Sequence, residues 1–499
     1  MKKVCHIGSL FCAVLLTHIS MAQLSIHGIF DGQSDIGDVK IEGSVAYDKE
    51  MDEYLLGGSG ENIWFKTDEF HYLWKVLEGD FILYAKLKFI GDNPEPHRKG
   101  GWMIRPGLDP NLPHVSAVVH GNGLTSLQYR TKINGDMAEI KASIEFPDII
   151  QLERHGDTFT MKAAKIGEPL ELVAEYEQDF GNSVYAGLFV CSHNEYNFQQ
   201  IIYNNVRISK PAPEGEEDSR QGVKSRLEIV NVESMNRRMV YNKDSLFEAP
   251  NWSMNETKLI FNQQGKLYKI PVAGGVPELI NSGGLENMNN DHGISPDGKW
   301  FAVSNGDPDF GSRVYVFPYE GGKAKLITDM GPSYWHGWSA DSKKLAYVGG
   351  REVNEYYDIY TTKRTGGKET RLTSSNCLDD GPDYSPNGRY IYYNSCQSGS
   401  MQIWKMNPDG SEQMQLTSDD HQNWFPHPSP DGKWIVFISY DEQVAPNDHP
   451  PNKQVMLRMM PVEGGEIKVI AHLYGGQGTI NVPSWSPDSK EIAFVSYTY

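Results

Sequence analysis

At 499 residues the chain exceeds what one hydrophobic core usually serves, so two domains are the first expectation. Its 49 Gly, 28 Pro and short scattered apolar runs suit many strands joined by turns. A formal net charge of -19 argues against nucleic acid as a partner class, because phosphate is bound mainly through Lys and Arg, and it disfavours attachment to anionic lipid.

Residues 1–22 read as an export signal: Lys2 and Lys3 precede the apolar stretch 8–17, and Ser20-Met21-Ala22 offers small residues before a cut ahead of Gln23. The apolar stretch is too short to span a bilayer, and no later one is long and apolar enough to do so. Export to the periplasm, the cell surface or the medium is therefore expected. Residues 23–209 alternate β-type runs with turns, among them Phe81-Ile82-Leu83-Tyr84, Ser116-Ala117-Val118-Val119 and Thr158-Phe159-Thr160-Met161. No long amphipathic pattern interrupts them, which predicts a two-sheet β-sandwich. Residues 210–225 are charged and Pro-rich at their start and read as a linker.

From residue 226 to 499 an internal repeat governs the pattern. Six segments match: Pro250-Asn251-Trp252-Ser253, His292-Gly293-Ile294-Ser295, His336-Gly337-Trp338-Ser339, Pro382-Asp383-Tyr384-Ser385, Pro426-His427-Pro428-Ser429 and Pro483-Ser484-Trp485-Ser486. Their serines lie 42, 44, 46, 44 and 57 residues apart, the period of four-stranded propeller blades. In Ser295-Pro296-Asp297-Gly298, Ser bonds back to the turn, Pro presets φ, and Gly accepts a positive φ. An apolar strand follows each turn, as in Trp434-Ile435-Val436-Phe437. The sixth repeat ends at Tyr499, just after its second strand, which would leave an open sheet edge. Residues 226–241 read as the missing hairpin, so the expected fold is all-β: a β-sandwich followed by a six-bladed propeller closed by its own first strands. The extra length before the last repeat is an insertion at 441–453. Cys377 and Cys396 sit symmetrically about the turn at Ser385-Pro386-Asn387-Gly388, compatible with a disulfide or with two buried thiols, while Cys191 packs as a small core residue.

The repeats Ser295-Pro296-Asp297-Gly298-Lys299 and Trp485-Ser486-Pro487-Asp488 resemble those of the TolB-type propeller family over residues 226–499. Prolyl-oligopeptidase-type propellers are similar but add a serine hydrolase domain. A Gly-x-Ser-x-Gly elbow is absent here, which excludes such a peptidase. Residues 23–209 resemble the concanavalin-like domains of secreted bacterial proteins through Asp35-Ile36-Gly37, Gly57-Gly58-Ser59-Gly60 and Gly100-Gly101-Trp102-Met103-Ile104-Arg105. Such domains accompany glycan-processing enzymes, an argument by association.

The residues before each repeated Ser form the strand nearest the propeller axis. They supply a polar set at the channel mouth: Glu248, Asn251, Asp291, His292, His336, Asp380, Asp383 and His427. The resemblance to oligogalacturonate lyases, six-bladed propellers that hold manganese through histidines, implies His292, His336 and His427 as ligands of a divalent metal, Mn or Ca. The same histidines can instead tie neighbouring blades together. Trp335 and Trp424 are the expected aromatic contacts for a sugar ring, whereas Trp252, Trp338 and Trp485 share one repeat position and read as packing. In the sandwich, Trp102 and Arg105 are the candidate ligand contacts. The expected function is an exported, monomeric recognition protein that takes a glycan or an envelope protein at the mouth. The alternative is a metal-assisted glycan-cleaving lyase or hydrolase.

Overall fold

The computed structural model describes residues 27–351 and 356–499. The expected export signal over residues 1–22 lies outside the described residues. Every regular element described is a β-strand, and no helix is long and apolar enough to cross a membrane.

Residues 32–209 form two antiparallel sheets of seven strands each. The first is centred on Ser183–Cys191 and Lys99–Arg105, the second on Phe81–Ile90 and Asn194–Ser209. Their facing sides meet in one apolar core that includes Leu73, Trp102, Ile104, Leu127, Leu83, Leu152, Phe159 and Ile201. The arrangement is sandwich-like, as the alternating runs require.

Five four-stranded blades follow, at residues 248–279, 288–326, 333–371, 379–415 and 422–475. The turn chemistry accounts for the recurring Ser. Ser295 Oγ donates to Asp297 Oδ1 at 2.6 Å and accepts from Trp300 N at 3.0 Å. Ser429, Asp431 and Trp434 repeat these bonds at 2.6 and 3.0 Å. Three residues after each Ser the backbone is left-handed: Gly298, Gly388 and Gly432 take this φ without a Cβ clash, and Glu256, Ser342 and Ser489 take it with one. Two of these exceptions have a use. Ser342 Oγ accepts from Asp297 N at 3.1 Å and Ser489 Oγ from Asp431 N at 3.0 Å, so each links its turn to that of the preceding blade.

The sixth blade is built from both ends of the propeller sequence. Glu491–Thr498 pairs with Lys224–Asn231, which pairs with Arg237–Lys243. The innermost segment, residues 479–485, joins through the Trp485–Ile492 bridge and the Ala493 N to Ser484 O bond of 2.9 Å. The hairpin expected over 226–241 thus closes the ring, its first strand beginning at Lys224. The stretch before it is well anchored: Lys210 N donates to Thr498 Oγ1 at 2.8 Å, Ala212 N to Tyr474 OH at 2.8 Å, and Asn452 Nδ2 to Ser219 O at 2.6 Å. Cys377 and Cys396 form a disulfide with Cα atoms 5.7 Å apart, which settles that alternative, and Cys191 is a buried free thiol.

Buried charge joins the closing hairpin to the sandwich. Glu228 accepts from Arg237 at 2.8 Å, from Arg207 at 2.7 Å and from Ser496 Oγ at 2.5 Å. Arg207 belongs to the sandwich and also reaches Asp52 at 2.6 Å. Lys86, on the sandwich, donates to Ser234 O at 2.9 Å and Asn236 Oδ1 at 2.7 Å in the hairpin turn. Burial alone would raise the Glu228 carboxyl, but Arg207 and Arg237 outweigh it and hold the pKa far below the ordinary 4.5. Its stabilising contribution is complete above the ordinary value and is lost as pH falls toward the folded one. Glu228→Gln should cost about 3–5 kcal/mol at pH 7, because it leaves two buried guanidiniums short of a partner. Urea unfolding checks this; a loss below about 1 kcal/mol would show that the network is not what secures closure.

Candidate functional site at the propeller mouth

The innermost strand of each of the first five blades carries a register shift against its neighbour, between Glu248 and Asn251, Met288 and His292, Trp335 and Gly337, Asp380 and Asp383, and Trp424 and His427. A bulge turns the following side chains off the regular alternation, and here it sorts the polar set into two groups. Ala249, Gly381 and Phe425, at φ of 54, 60 and 54°, are the left-handed residues of three of these bulges.

One group ties blades together. His427 Nδ1 lies 3.2 Å from Asp383 Oδ2 on blade four, and its Nε2 lies 2.8 Å from Ile480 O on blade six. Asn251 Nδ2 donates to Pro483 O at 2.8 Å, and Ser484 Oγ returns a bond to Pro250 O at 3.0 Å. His292 is wholly buried against the backbone of Asn290 and Ala249; burial pushes its pKa down to about 3, so the ring is neutral. His427, Asp383, Asn251 and Ser484 hold the ring.

The other group forms the mouth. His336 Nε2 is 3.1 Å from Asp380 Oδ1, and His449, from the blade-five insertion, is 4.0 Å from Asp380 Oδ2. Asp291 takes a bond from Asn289 Nδ2 at 2.8 Å and feels His336, Asp380 and Glu248. Glu248 receives Arg220 at 2.5 Å. Blades one to four therefore contribute Glu248, Asp291, His336 and Asp380, with Arg220 and His449 arriving from the segment before the propeller and from the insertion. Burial pushes Asp291 up to about 6; His336 opposes this, and Asp380 adds to it. Burial also raises Asp380, yet its His336 contact wins and holds it below the ordinary value. His336 is raised, because Asp380 and Asp291 outweigh its burial. A histidine between carboxylates, in a buried polar site, can take hydroxyl groups as both donor and acceptor.

The three histidines are not brought to one point. His427 is held by Asp383 and Ile480, His336 by Asp380, and His292 lies apart against backbone. Among the described residues no group of three or more His, Cys, Asp or Glu side chains is placed to hold a metal ion. The donor set does not fit the divalent ion that the lyase resemblance implies.

The aromatic expectations are corrected by depth. Trp335 and Trp424 are 0% exposed, so neither can stack on a sugar. Trp335 packs with Trp338 and Tyr347, and Trp424 lies beneath His449 with ring centroids 4.5 Å apart. Trp338 Nε1 donates to Gly293 O at 3.2 Å and Trp485 Nε1 to His427 O at 2.9 Å, the inter-blade role expected of their shared position. Trp102 fills the sandwich core and cannot reach a ligand. Arg105 finds its partner inside the domain: Asp68, 3.5 Å away, which Arg130 also grips at 2.8 and 2.5 Å. Arg220, His449 and Asp68 were not singled out from sequence.

The fold and this site define a six-bladed β-propeller with a polar axial mouth. Residues 336–453 match the TolB beta propeller domain model. The uncharacterised protein Atu1656 of Agrobacterium fabrum is 46% identical over 277 residues, 55% of this chain and 93% of that protein. A solved structure described as a TolB from Agrobacterium tumefaciens is 45% identical with a TM-score of 0.53, covering 56% of this chain and 99% of that one. TolB from Acinetobacter baumannii is 15% identical with a TM-score of 0.37, over 63% of this chain and 79% of that one. The chain belongs, through its propeller, to the TolB-type β-propeller family.

A carboxyl with a raised folded pKa binds its proton more tightly than the unfolded chain does, so for Asp291 stability declines as pH climbs from 3.8 to about 6. Asp291→Asn removes that burden. Its stability gain over the natural protein should be small at pH 4 and reach about 3 kcal/mol above pH 6. Denaturant titrations across this range check it, and a pH-independent difference would contradict the assignment.

Proposed function

We propose that this protein is an exported recognition protein whose propeller mouth binds a glycan. What carries the reading is the convergence of Glu248, Asp291, His336 and Asp380 from four successive blades, all largely buried and electrically coupled. Desolvated carboxylates accept hydrogen bonds from sugar hydroxyls, and a His336 N–H donates to sugar oxygens. Arg220 and His449 border the site and restrict what enters. Membership in the TolB-type family supports a recognition role, and the export reading rests on Lys2, Lys3 and the apolar stretch after them. The sandwich, read as concanavalin-like, adds a second surface to the exported body.

The test is a panel of oligosaccharides screened against the natural protein, His336→Ala and Asp380→Asn, with thermal melting as the check on folding. The natural protein should retain at least one glycan, and each variant should bind it at least about tenfold more weakly, a loss of about 1.4 kcal/mol, without unfolding. Unchanged binding by His336→Ala would remove the mouth from the account. Release of unsaturated sugar ends, read by absorbance, would establish the cleaving alternative instead.

A further inference from the structure

Between the sandwich and blades five and six lies a cleft of about 270 Å³, room for about nine waters at bulk density. Tyr84, Lys162 and Arg207 line it from the sandwich, and Arg226, Arg237 and His472 from the propeller. Its cations are unevenly neutralised. Lys162 pairs with Glu153 at 2.7 Å, Arg207 with Asp52 and Glu228, and Arg237 with Glu228. Arg226 donates only to neutral atoms, Ser209 Oγ at 3.2 Å and Ile208 O at 2.7 Å, and among the described residues no carboxylate comes within ion-pair distance of it. Asp441 also lines the cleft without pairing with Arg226. Burial, with Arg207 and Arg237 adding to it against the pull of Glu228, draws the Arg226 pKa down to about 10. A guanidinium in that setting is a charged donor short of an anion.

His472, 6% exposed, supplies the second element. Burial and then Arg237 push its pKa down to about 3, so the ring is neutral. One ring nitrogen faces the Glu168 backbone, and Nε2 has no partner. With the proton on the nitrogen facing that carbonyl, Nε2 is a buried acceptor with no partner beneath the cleft wall, a demand that a ligand hydroxyl reaching it would meet. The Tyr84 ring stands 6.0 Å from the imidazole and gives this end an apolar wall.

We propose that this cleft binds a small hydroxylated carboxylate, its charge on Arg226 and a hydroxyl donated to His472 Nε2. The site is distinct from the mouth. Because it is built from both domains, which also meet through the Gln151 Nε2 to Gln454 Oε1 bond of 2.8 Å, the ligand would stiffen their junction.

The test is calorimetric titration and thermal melting of the full chain with D-gluconate, D-glucose and propionate, which carry both groups, hydroxyls alone and charge alone. Gluconate should raise the melting temperature and bind at least about tenfold more tightly than either other probe. Arg226→Gln should lose at least about tenfold in gluconate affinity while melting no lower without ligand, since it removes a half-buried cation that no carboxylate neutralises. His472→Phe should abolish the preference for gluconate over propionate. Gluconate binding no tighter than propionate, or binding unchanged in Arg226→Gln, would overturn the proposal. If Arg226→Gln does not fold, an unaltered gluconate preference in His472→Phe overturns it equally.

Discussion

One buried carboxylate governs how this molecule is closed. Glu228 sits on the strand that completes the sixth blade and is gripped by Arg237 on the same hairpin, Ser496 on the last strand and Arg207 on the sandwich. Without partners the strand Glu491–Thr498 would present an unpaired edge. Backbone pairing from Lys224↔Thr498 to Asn231↔Glu491 covers that edge, and the Glu228 network fixes the register and the sandwich together. Two arginines compensate the burial of one carboxylate, so the junction is rigid but intolerant of losing its central charge.

Within the closed ring, the bulges decide what each polar residue does. His427, Asp383, Asn251 and Ser484 spend their hydrogen bonds on neighbouring blades, which leaves them little to offer a ligand. His336 bonds to Asp380, with His449 beside it, Glu248 bonds to Arg220, and Asp291 bonds to Asn289 and is coupled to the others through charge. They are coupled through charge in a desolvated space, the condition under which carboxylates and imidazoles bind polar ligands well. The cleft beside Glu228 is a consequence of the same junction: packing three arginines around two carboxylates leaves Arg226 unneutralised where the domains meet.

Much of this was legible in the sequence because its causes are local. The repeated Ser, the Pro after it and the left-handed position three residues on are turn chemistry, readable one blade at a time. Closure was readable too, since the sixth repeat supplies fewer strands than the other five and residues 226–241 were the unassigned β-pattern. The site was only partly readable. That His336 and Asp380 meet follows from their neighbouring positions in successive repeats, but the burial of Trp335 and Trp424 depends on bulge registers that spacing does not reveal. Arg220 and His449 come from segments with no periodicity, read as linker and insertion, so nothing local marked them as mouth residues. Asp68, the answer to the buried Arg105, lies far from it in sequence.

Amide hydrogen exchange on the full chain tests the closure most directly. Residues 225–230 and 492–497 should be protected as strongly as the inner blade strands and should open together, as one cooperative unit. If the 224–243 hairpin exchanged as fast as exposed loops while the blades stayed protected, the ring would not be closed by these strands, and the mouth and cleft built on that closure would lose their foundation.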